Sequence, residues 1–65
     1  MTTFDMPDEE KRRGAADELV RLGFQVGLPP GPSRRVFRLG VEHDPEAFTS
    51  VLQVALHHDP GARMT

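Results

Sequence analysis

The chain has no cysteine, no tryptophan and no tyrosine, and four phenylalanines supply all of its aromatic bulk. Without cysteine, neither a disulfide nor a thiolate metal site can staple the fold. Isoleucine and asparagine are also missing, and seven arginines stand against one lysine. Together with abundant alanine, glycine and proline, this usage suggests a GC-rich, bacterial coding sequence, so no single arginine need have been chosen over lysine for recognition. No apolar run approaches the ~20 residues of a membrane span. Nor does a basic stretch followed by an apolar one open the chain. These features set the expectation of a cytoplasmic chain with no membrane association. A formal net charge of −2 gives no global attraction to nucleic acid or anionic lipid.

Sixty-five residues make one domain (1–65), close to the smallest size at which a single core outweighs chain entropy. Ordering such a chain costs on the order of 100 kcal/mol, at roughly 1.5 kcal/mol per residue. Only 37% of it is hydrophobic. Association with a second copy or another protein is the common remedy for so thin a core.

Residues 1–5 read as a frayed end, with a short strand over 2–6 as the alternative because Thr2, Thr3 and Phe4 favour extended backbone. A first helix is expected to start between Asp5 and Asp8 and run to Leu22. Arg12, Ala15, Ala16, Leu19 and Val20 mark one face, and Glu9–Arg13 and Asp17–Arg21 are i,i+4 pairs on the other. Gly14 weakens this helix by up to ~1 kcal/mol relative to alanine. Gly23 is the expected left-handed stop, bringing Phe24 back against Leu19.

Phe24, Val26 and Leu28 then alternate with Gln25 and Gly27 as a strand. Pro29-Pro30-Gly31-Pro32-Ser33 is a stiff loop, too poor in N–H donors for a ladder. Arg34–Val41 resumes the alternation, with Phe37, Leu39 and Val41 on one face and Val36, Arg38 and Gly40 on the other. A second helix spans Asp44 to Asp59, capped by Asp44, with Pro45 in its first position. Phe48, Val51, Leu52, Ala55 and Leu56 recur at helical spacing, and Val54 and Ala47 widen the stripe. Pro60-Gly61 ends the helix, and 62–65 reads as a frayed tail. The expected fold is therefore α+β: helix, strand, strand, helix, with an antiparallel hairpin and both helices on one face.

Three groups of side chains carry chemical potential. His43, His57 and His58, with the repeated His-Asp-Pro at 43–45 and 58–60, invite a metal reading. His43 and His57 are separated by about 21 Å along a helix, however, so the helix-end reading is preferred and neither a metal nor a cofactor is expected. Arg34, Arg35 and Arg38 form a basic cluster suited to phosphate backbones, without the outward aromatics that stack on bases. Pro29 and Pro32 match a bare Pro-x-x-Pro spacing, which any proline-rich loop would match. No nucleophile–base pair, paired carboxylates or phosphate cradle is recognisable, so catalysis is not expected.

The function expected from these features is a non-enzymatic protein-interaction or regulatory module, a homodimer or a subunit of a larger complex. Its contact is expected through Phe48, Val51, Leu52, Val54, Ala55 and Leu56. A nucleic-acid-binding regulator using Arg34, Arg35 and Arg38 is the alternative. A metal-binding or enzyme-accessory role through the histidines is the second alternative.

Overall fold

A computed structural model describes residues 1–65. The chain opens not with a frayed end but with a strand, β1 (Thr2–Met6), in which Phe4 and Met6 are fully buried and alternate with Thr3 and Asp5. Because the strand claims Asp5 and Met6, the first helix, α1 (Glu9–Arg21), starts later than the earliest expected position. Asp8 caps it, its carboxylate accepting the Lys11 N–H at 3.1 Å. The other end closes as the sequence predicts. Gly23 takes a φ of 96° and donates to the Val20 carbonyl, and Phe24 donates to the Leu19 carbonyl, both at 3.0 Å. That closure returns Phe24 to the core.

The second strand, β2 (Gln25–Gly27), is short, because Pro29 and Pro30 follow closely. The third, β3 (Phe37–Glu42), starts three residues later than Arg34 and ends one beyond Val41. Arg34 and Arg35 lie instead in a turn closed by a bridge between Ser33 and Val36. Gly31 is required in this loop, since a Cβ there would stand only 1.9 Å from the Val36 carbonyl oxygen.

After β3, Pro45–Ala47 forms one 3-10 turn before the second helix, α2 (Phe48–His58). The Asp44 side chain makes no capping bond; its carbonyl instead accepts the Ala47 N–H at 2.9 Å. The tail is also ordered. A two-residue strand, β4 (Arg63–Met64), pairs with β1, and Thr65 donates to the Thr3 carbonyl at 3.0 Å.

The sheet therefore has four strands, not two, in the order β2-β3-β1-β4, with every neighbouring pair antiparallel. The order β-α-β-β-α-β on such a sheet is the split β-α-β, or ferredoxin-like, arrangement. It is an α+β fold with both helices against one sheet face. Their shared core is Phe4, Met6, Ala15, Ala16, Leu19, Leu39, Val41, Val51 and Ala55. Fully burying each large member contributes about 1.5–3 kcal/mol. Val20, placed by its spacing on the apolar face of α1, is instead 59% exposed. Neither helix is long and apolar enough to cross a membrane.

Candidate interaction surface

Alternation along the strands sends Phe4, Met6, Leu39 and Val41 inward, so Thr3, Asp5, Arg38, Gly40 and Glu42 face the side that no helix covers. Register aligns these residues into rows across the sheet. Gln25 stands beside Glu42, Gly27 beside Gly40 beside Thr3, and Arg38 beside Asp5 beside Arg63. The middle row has almost no side-chain bulk. A shallow trough of about 530 Å³ lies on the β2 half of this face, bordered by Met1, Thr3, Gly27, Leu28 and Gly40.

Arg38 does not stand free in the lower row. Its Nε and Nη2 donate to the two Asp5 carboxylate oxygens at 2.8 and 3.0 Å, a bidentate pair. The hydrogen bonds from Arg38 hold the Asp5 carboxyl below its ordinary range, outweighing partial desolvation and reinforced by the opposite charge. The same bond holds the Arg38 guanidinium more firmly protonated. Arg34, Arg35 and Arg38 are therefore not one patch. Two are exposed on the loop, and the third is held by a carboxylate on β1. Phe37 has inward parity, and the Arg12 guanidinium lies over its ring at 5.5 Å from the centroid. Arg12 thus belongs to the apolar face of α1 through its stem, while Nη1 donates to the Arg38 carbonyl at 3.3 Å.

The α2 stripe is divided. Val51 and Ala55 are fully buried in the chain's own core, and Phe48, Leu52 and Val54 are half-buried. Leu56 is exposed. Val51 and Ala55 are thus removed from the set expected to meet a partner, because α1 packs over them.

The three histidines sit apart. His43 Nδ1 donates to the Asp44 carbonyl at 2.7 Å, and its Nε2 bonds the Thr2 hydroxyl at 2.6 Å, tying β1 to the end of β3. His58 Nε2 bonds Glu18 Oε1 at 2.6 Å, and its ring rests against Gly14 of α1. His57 is exposed, its ring edge-on to His58 at 5.7 Å. No group of three or more histidine, aspartate or glutamate side chains is gathered as a metal cage. Asp59, read from the sequence as a helix stop, is buried; its Oδ1 accepts the Gly61 N–H at 2.9 Å, and Oδ2 has no protein partner.

Sequence reasoning missed the Asp5–Arg38, Thr2–His43 and Gly14–His58 contacts. Only the last left a trace, a glycine in mid-helix that no turn explains. No family model matches the chain, and neither a curated protein nor a solved structure matches it.

Proposed function

We propose that this chain is a non-enzymatic protein-interaction module of the cytoplasm, a regulatory homodimer or a subunit of a larger complex, docking through the uncovered face of its sheet. The observation that carries this reading is the trough beside Thr3, Gly27 and Gly40, where β1, β3 and β2 carry small or no side chains with no helix layer above them. Leu28 and Met1, both exposed, supply apolar anchors at its rim, and Leu56 adds one on the helical side. Polar surroundings with a few apolar anchors are the usual make-up of a transient protein interface. Nucleic acid fits this face less well. Arg38 is already paired with Asp5, and the three rows carry no aromatic side chain on which a base would stack.

Co-purification from the source cells, read by mass spectrometry, tests the reading. Proteins retained by wild type, the chain itself included, are expected to be lost from a Thr3→Arg variant that keeps the wild-type circular dichroism. Identical protein sets for the two chains would refute it.

A further inference from the structure

We infer, building on the interaction reading above, that the uncovered sheet face is closed by a second copy of this chain. The two sheets stack face to face about a two-fold axis that lies between them and crosses β3 at Gly40. On this face Gly40 is the midpoint between Arg38 and Glu42, with Gly27 and Thr3 level with it on the neighbouring strands. Rotation about that row of small residues exchanges the rows on either side. Glu42 of one copy then meets Arg38 of the other, and symmetry makes the contact twice.

The chemistry suits that exchange. Glu42 is exposed and forms no ion pair within its own chain. Arg38 spends Nε and Nη2 on Asp5, leaving Nη1 for a second carboxylate. Arg63, beside Asp5 in the same row, adds a further exposed cation. Each face thus offers the unpaired Glu42 carboxylate at one end and two cations against one acid at the other, and these groups pair across the interface only when the copies run in opposite directions.

The glycines point the same way. Neither Gly27 nor Gly40 has a positive φ. A Cβ at Gly27 would meet nothing within 4 Å, and one at Gly40 only the Gly27 carbonyl oxygen at 3.9 Å. Nothing inside the chain requires glycine at either position, although glycine weakens a strand. The register here has no bulge at either glycine, and close approach of another backbone or a ligand is a further use of glycine in strands. The face is small, about 17 Å along the strands and about 15 Å across them, below the standard size of a stable interface. The dimer is accordingly weak, with a dissociation constant in the range of about micromolar or above.

Sedimentation velocity of the full chain at concentrations from about 10 to about 500 µM tests this. The expected result is a reversible dimer that added salt weakens. Gly40→Val and Glu42→Arg should each raise the dissociation constant by at least about tenfold while keeping the wild-type circular dichroism. Arg38→Glu alone should not dimerise, but an equimolar mixture of the Arg38→Glu and Glu42→Arg chains should form a heterodimer, because one exchanged pair is then restored with its charges reversed while the other keeps its wild-type partners. If Arg38→Glu fails to fold, Gly40→Val and Glu42→Arg decide the matter. A monomer at every concentration, or a dimer indifferent to both of those variants, overturns the inference. If the chain is a monomer but foreign proteins are still lost with Thr3→Arg, a different partner occupies the face and the interaction reading stands.

Discussion

Replacing Gly14 with alanine sets two effects against each other. In the interior of an exposed helix, alanine is worth about 1 kcal/mol over glycine, so α1 taken alone should be stabilised. The tertiary structure opposes this, because the new Cβ would lie 3.0 Å from Nδ1 of His58, tighter than nearly all side-chain contacts, so the ring must give way. The imidazole must move by some tenths of an ångström, and it is not free to do so, since its other nitrogen is held by Glu18 at 2.6 Å. A hydrogen bond to a charged partner contributes about 1.5–3 kcal/mol. Both side chains are partly exposed, which reduces that to about 1 kcal/mol. Displacing the ring therefore cancels the helical gain, and Gly14→Ala should be neutral or destabilising by up to about 1 kcal/mol. In a His58→Ala background the clash disappears, and the same substitution should stabilise by about 1 kcal/mol. A double-mutant cycle by urea denaturation should thus give a coupling of at least about 1 kcal/mol. In thermal melts that corresponds to about 4–8 °C for a domain of this size. Equal stabilisation by Gly14→Ala in both backgrounds would refute the reasoning.

Phe4→Ala should cost about 3–5 kcal/mol, comparable with the whole stability of a small domain, so urea melts should find the variant largely unfolded. Wild-type stability after deletion of residues 1–5 would refute the placement of β1. The Asp5 carboxyl is held below its ordinary value of 3.8 in the folded chain. Its contribution is therefore complete above that value and is lost as pH falls through the lower folded-state value. Melting temperatures from about pH 5 to about pH 2 should fall more steeply for wild type than for Asp5→Asn, and parallel curves would remove the pair as a source of stability. Gly31→Ala should destabilise by about 1–3 kcal/mol in chemical denaturation, because its Cβ would strike a backbone carbonyl that cannot swing aside. Gly23→Ala should cost about 1 kcal/mol through its left-handed backbone.

The sequence by itself determined whatever a few neighbouring residues decide. Asp8 and Gly23 bound α1 because capping needs only bonds such as Asp8 to Lys11 and Leu19 to Phe24. Phe37, Leu39 and Val41 point inward because alternation is a property of the strand alone. Tertiary structure decided the rest, through contacts whose partners lie far apart in the chain. The Phe-Asp-Met alternation at 4–6 was visible, but a strand there gains its bonds only from β3 and β4, which sequence spacing does not reveal. A two-residue strand such as β4 carries no periodicity at all and exists because β1 offers it a ladder. The Asp44 cap failed for a related reason: Pro45 set the backbone for a 3-10 turn, and the carbonyl rather than the carboxylate took the available N–H. Asp5–Arg38 and Glu18–His58 join residues 33 and 40 positions apart. Local patterns fix which side of each element is apolar. Only packing fixes which element covers it, and here two helices shelter one face of the sheet and leave the other open.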